Sequence, residues 1–152
     1  MPSITPSYLC SFIAIIAVSS LLVISFMTYT GTIRFSSEIR QLRNLMDSAA
    51  AKSTELLTIT LTTNATTKSF IQMPATIGNK QYWLRLTNDS SGTWVEGGLG
   101  NVPYEETDLR VCLPREASAT GSYIGGYGSA LFECHQEAGV PQIRLSSSHE
   151  SE

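Results

Sequence analysis

Charge is the first thing missing. No Lys, Arg, His, Asp or Glu stands before Arg34, and charged residues make up only 15% of the 152 positions. Histidine is confined to His135 and His149, and cysteine to Cys10, Cys112 and Cys134. There is no C-x-x-C and no H-x-x-x-H, so the ligand spacings of a zinc or redox centre are missing. A net charge of −3 without a basic tract excludes a protein that tracks a nucleic-acid backbone, so no nucleic-acid partner is expected. The glycine-rich stretch 97–101 lacks the order G-x-x-x-x-G-K-[ST] and runs into Val102-Pro103, so it reads as a flexible turn and not a phosphate cradle. The acidic cluster 104–108 has no calcium-loop spacing and reads as a solvated loop. His135 adjoins Cys134 on an expected strand, where neighbours point to opposite faces, so the two do not form a nucleophile–base pair. The chain therefore reads as a non-enzyme with no catalytic residues, no cofactor and no metal.

What replaces charge is a long apolar run. Residues 9–29 (LCSFIAIIAVSSLLVISFMTY) carry no charged side chain. A bilayer core of about 30 Å needs roughly 20 apolar helical residues at about 1.5 Å each. The serines within the run can return their hydroxyls to carbonyls one turn back, and Cys10 acts as a small apolar residue. A signal peptide would show a basic n-region and a shorter apolar core, so a retained membrane helix is the expectation.

Proline is absent between Pro6 and Pro74, so nothing forces the helix to stop at the interface. Past Gly31, a candidate bend, Phe35, Ile39, Leu42, Met46, Ala49, Ser53 and Leu56 follow a 4-3-4-3-4-3 spacing among polar residues. This seam predicts an amphipathic continuation, giving one helical unit over 1–57. It can cover its own domain, a neighbouring subunit, or both.

From residue 58 the composition turns to Thr, β-branched and aromatic residues, which is strand chemistry. Strands are expected near 57–62, 68–73, 81–87, 93–96, 108–113, 118–124, 130–135 and 142–145. Turns fall at 64–67, 77–80 and 88–92. The expected fold is α+β: a long N-terminal helix followed by a small antiparallel β-sandwich-like domain over 58–146, with a polar tail at 147–152.

Cys112 and Cys134 both fall in the β-rich part and are candidates for a disulfide if that part faces an oxidising compartment. Asn64-Ala65-Thr66 and Asn88-Asp89-Ser90 are N-x-[ST] sequons, both on expected loops, and so are candidate N-glycosylation sites. They tilt the β-domain outward. Arg34, Arg40 and Arg43, just past the apolar run, tilt it inward by the positive-inside rule. Among the aromatics, Tyr82, Trp83, Trp94, Tyr123 and Tyr127 are candidate surface contacts set against a more ordinary role in the core.

An apolar helix that turns amphipathic and then carries a β-domain resembles the plan of archaeal type IV pilin-like and archaellum-accessory proteins. The segments 73–84 (MPATIGNKQYWL) and 128–134 (GSALFEC) are similar to the sheet-entry and terminal-strand segments of that group. Pilin-type anchors also carry charge just past the apolar stretch, so the resemblance favours the outward orientation. It departs at one point: class III leaders place Lys or Arg with Gly before the apolar core, and nothing basic precedes Leu9. A mature subunit or an uncleaved accessory protein is then expected. The resemblance implies two functions. One is a filament subunit whose helices bundle with copies of itself inside a shell of β-domains. The other is a single-pass accessory module that grips envelope-layer proteins or a motility machine.

Overall fold

A computed structural model describes residues 5–100, 109–114 and 117–148. The acidic cluster 104–108 and most of the tail lie outside the described residues. Helix α1 (Thr5–Thr63) is followed by β1 (Thr67–Ile71), β2 (Tyr82–Asp89), β3 (Gly92–Leu99), β4 (Arg110–Leu113), β5 (Ser118–Ile124), β6 (Ala130–Glu137) and β7 (Val140–Ser147). The expected α+β class is present. The chain divides into two compact units, with the boundary after Ser37.

In the first unit α1 is helical without interruption, Gly31 included. Its hydroxyls close on the helix itself: Ser20 Oγ donates to Ile16 O at 2.8 Å, Thr28 Oγ1 to Ile24 O at 2.9 Å and Thr30 Oγ1 to Phe26 O at 2.8 Å. Each such bond removes a polar group from the demands of the surroundings.

In the second unit the rest of α1 packs on one face of a seven-stranded sheet ordered β1-β6-β7-β5-β2-β3-β4. Every neighbouring pair is antiparallel except β5–β7, which is parallel. The layer facing the sheet is therefore helix. Leu42, Met46, Ala49, Ser53 and Leu56 are buried, joined by Ala50, Leu57 and Thr60. Opposite them lie Leu84, Leu86, Val95, Phe132, Cys134, Ile143 and Leu145. From Leu42 onward the predicted seam thus covers its own domain. Ile39 is only half-buried and Phe35, in the other unit, is 54% exposed.

The strand expected at 57–62 is instead the last part of α1. Its alternating Thr and aliphatic residues satisfy a strand pattern locally. Helical burial of Leu56, Leu57 and Thr60 on one face outweighs that preference. The threonines are accommodated by back-bonding, as when Thr62 Oγ1 donates to Thr58 O at 2.9 Å and Thr63 Oγ1 to Ile59 O at 2.7 Å. The helix ends at Asn64, whose φ of 51° is the left-handed cap conformation and whose N–H donates to Thr60 O at 2.9 Å.

Residues 97–99, expected in a flexible turn, belong to β3. Gly97 lets Met46 and Leu84 pack close to the strand: a Cβ there would meet Met46 Sδ and Leu84 Cδ2 at 3.0 Å, and both side chains would have to give way. Gly98 leaves room for the Trp83 indole, which would lie 2.8 Å from an added Cβ. Gly121 sits where β5 changes partner, from β7 at residues 118–121 to β2 at 122–124. Its φ of 108° and an added Cβ 2.0 Å from Leu145 O exclude any side chain.

Candidate functional site: an exposed apolar helix and the outer face of the sheet

Two surfaces carry chemistry that the core does not absorb. The first is the apolar half of α1. Its large side chains from Tyr8 to Tyr29 are all at least half exposed, from 50% at Ile16 to 76% at Tyr8. A helix that is apolar all round and carries no charge is unstable in water and calls for an apolar environment. It is long and apolar enough to cross a membrane.

The second is the sheet face turned away from α1, where alternation places Trp83, Arg85 and Thr87 of β2 beside Trp94 and Glu96 of β3 and Arg110 of β4. Glu96 is 1% exposed yet charged. Arg85 donates to its Oε2 from two nitrogens, at 3.1 and 2.6 Å, and Arg110 Nε lies 2.9 Å from Oε1. Thr87 Oγ1 adds a donor at 3.3 Å, and the Arg85 guanidinium lies 5.7 Å from the Trp83 ring centroid. A buried carboxylate is tolerable only with this degree of pairing. Sequence reasoning missed this cluster. Its signal is the hairpin register, because a turn at Ser90-Ser91 sets Arg85 opposite Glu96.

The turn is held by Asp89, whose Oδ1 accepts from the Ser91 hydroxyl, from Ser91 N at 2.7 Å and from Gly92 N at 3.0 Å. Hydrogen bonding, the Ser91 hydroxyl foremost, lowers this carboxyl from 3.8 to about 2.

The candidate disulfide does not form. Cys112 and Cys134 are both free. Cys112 is on edge strand β4, while Cys134 is on β6, with β7, β5, β2 and β3 between them. Five strand spacings come to about 24 Å, whereas bridged Cα atoms lie within about 7 Å. Cys134 is also fully buried on the helix-facing side, and burial pushes its thiol up, away from the reactive thiolate. Strand alternation conceals this separation because it depends on sheet order.

The two sequons have different fates. Asn64 is exposed just past the helix end. Asn88 is within β2 and not in a loop. Its Nδ2 donates to Ser118 Oγ at 3.0 Å, and its Oδ1 accepts from Ala119 N at 3.2 Å. The Thr93 hydroxyl lies 2.9 Å from Asn88 Oδ1 and 2.6 Å from Ala117 O, and donates to one at a time. β2 and β5 pair through their backbones only at residues 83–85 and 122–124. Beyond that point they part around an open groove of about 620 Å³, and the Asn88 amide closes its far end.

Of the aromatic candidates, Tyr82, Trp83 and Tyr123 are buried and Trp94 is half-buried. Tyr82 Oη donates to Pro74 O and Tyr123 Oη to Gly128 O, each at 2.7 Å, so both phenols pin loops. Only Tyr127 of this set is exposed. Among the described residues, no three His, Cys, Asp or Glu side chains gather as metal ligands. Comparison with protein-family models, curated proteins and solved structures returned no match.

Proposed function

We propose that this chain is a structural cell-surface protein of pilin-like plan, anchored by the apolar half of α1 and carrying its β-domain outside the membrane. The observation behind the reading is the exposure of every described side chain from Pro6 to Tyr29, in the stretch of α1 that carries no charge. Lipid satisfies that surface before assembly. Copies of the same helix satisfy it in a filament core, with the β-domains forming the shell. The internal hydroxyl bonds of Ser20, Thr28 and Thr30 suit both surroundings, because each leaves the helix with fewer polar demands.

One observation favours a second reading, a single-pass accessory module that binds envelope-layer or motility components. Leu42, Met46, Ala49 and Leu56 are closed off by the chain's own sheet, so this stripe offers nothing to a neighbouring helix. In that case the helix acts as an anchor and the sheet as the binding part.

Electron microscopy of the sheared surface fraction, with mass spectrometry of its subunits, separates the two. Filaments with this chain as the repeating subunit support the pilin-like reading. Recovery only from the membrane pellet, in small complexes, favours the accessory module. Recovery from the soluble cytoplasmic fraction contradicts both.

A further inference from the structure

We infer that Asn64 is the N-glycan acceptor of the folded chain and that Asn88, the other sequon asparagine, is held back from modification by its hydrogen bonds. The inference rests on the outward orientation proposed above, since the transferases that read N-x-[ST] act on that side.

The sequon Asn64-Ala65-Thr66 fills the whole link between the end of α1 at Thr63 and the start of β1 at Thr67. All three residues are exposed. Asn64 has already left the helix, with φ at 51°, and only its backbone N–H is committed, to Thr60 O. No described residue hydrogen-bonds its side-chain amide. A transferase must reach the Asn amide and the hydroxyl two residues on, and here it can do so without breaking strand or helix.

Asn88, Asp89 and Ser90 are exposed as well, but there the Asn88 amide is bonded on both sides. Its Nδ2, the atom a sugar would take, donates one of its two hydrogens to Ser118 Oγ, and its Oδ1 accepts from Ala119 N, so the plane of the amide is fixed from both ends. It pairs with Thr93 inside the β2–β3 ladder, and the next residue, Asp89, is tied to the turn through Ser91 and Gly92. Glycosylation there would undo the clamp across the β2–β5 gap and leave the partner groups unsatisfied.

The donor is a lipid-linked oligosaccharide phosphate or diphosphate. Asn64 Nδ2 forms a bond to the anomeric carbon as the bond from that carbon to the phosphate oxygen breaks. The lipid phosphate leaves with the electron pair, and a base of the transferase takes the amide proton.

The test uses the detergent-solubilised full chain with a single-subunit oligosaccharyltransferase and its lipid-linked donor. Peptides covering 60–70 and 84–94 serve as unfolded references, and glycopeptides are mapped by mass spectrometry. Asn64 is modified in the folded chain at a rate near that of its peptide, whereas Asn88 is at least about tenfold slower than its own, because its hydrogen bonds must first open. Equal rates for folded Asn88 and its peptide, or a bare Asn64 in the folded chain, overturn the assignment. Thermal melts give a second readout: Asn88→Gln lowers the midpoint, whereas Thr66→Ala, which removes the other sequon and keeps the left-handed Asn64 cap, leaves it unchanged. In cells that carry the chain, external protease and mass spectrometry separate site from orientation. A glycan on Asn64 with a digestible β-domain supports the proposal. A digestible domain with bare Asn64 overturns the site alone. A protected domain with bare Asn64 overturns the outward orientation, and the site with it.

Discussion

The two halves of α1 share one backbone conformation and differ in what their apolar residues meet. In residues 6–37 apolar side chains occur on every side and are exposed; in 38–63 most of them form one stripe buried under the chain's own sheet, with Ile59 and Leu61 outside it. The difference teaches that apolar content sets how much surroundings a helix needs, while the distribution of apolar residues sets what kind. A stripe matches a sheet. A fully apolar cylinder matches lipid or other such cylinders.

Substitutions that act on one half and spare the other sharpen this contrast. Leu42→Asp places an unpaired carboxylate against the sheet and is expected to cost more than about 4 kcal/mol, unfolding the β-domain while leaving membrane partition intact. Circular dichroism of the detergent-solubilised chain, beside a carbonate extraction, reads both effects; a folded variant would mean that the stripe is not a core. Leu21→Arg is expected to act in reverse. It lowers membrane insertion by about 3 kcal/mol and leaves the domain's melting midpoint where it was. A shifted midpoint would show that residue 21 supports the domain.

Glu96→Ala tests the outer face and leaves both halves of the helix alone. Losing a carboxylate shared by Arg85 and Arg110 is expected to cost about 2–3 kcal/mol, moderated by the partial exposure of both guanidinium groups. A denaturant midpoint equal to wild type would make the cluster ornamental. The smallest effect belongs to Asp89. Its folded pKa of about 2 lies below the ordinary 3.8, so its contribution is fully present above pH 3.8 and is lost as the pH falls through about 2. A carboxyl titration by NMR with its midpoint near 3.8 would contradict the turn geometry.

The parts of this fold that are legible in the sequence are those set by neighbours along the chain. Absence of charge before Arg34 announces the apolar helix, and the 4-3 spacing from Leu42 announces its buried stripe. Alternation in 81–87 announces β2, and the turn residues at 88–92 announce the hairpin, although strand pairing runs further into that segment than the turn chemistry suggests. The failures are nonlocal. Residues 57–62 carry strand-type side chains, yet their burial on one helical face is decided by a sheet that follows them. The distance between Cys112 and Cys134 depends on strand order, as does the parallel β5–β7 pairing. Asn88 reads as an unbonded loop sequon until β5 is placed beside it, at which point its exposed amide becomes a clamp.

Photo-methionine replacement is the most direct test of the contrast between the halves, because Met27 and Met46 lie one in each and are 71% and 1% exposed. After ultraviolet activation in intact cells and mass spectrometry, Met27 is predicted to yield adducts with lipid or with a second copy's apolar helix, and Met46 adducts with β2 and β3 of its own chain. Met46 crosslinked to another chain, or Met27 crosslinked to its own β-domain, would contradict the account.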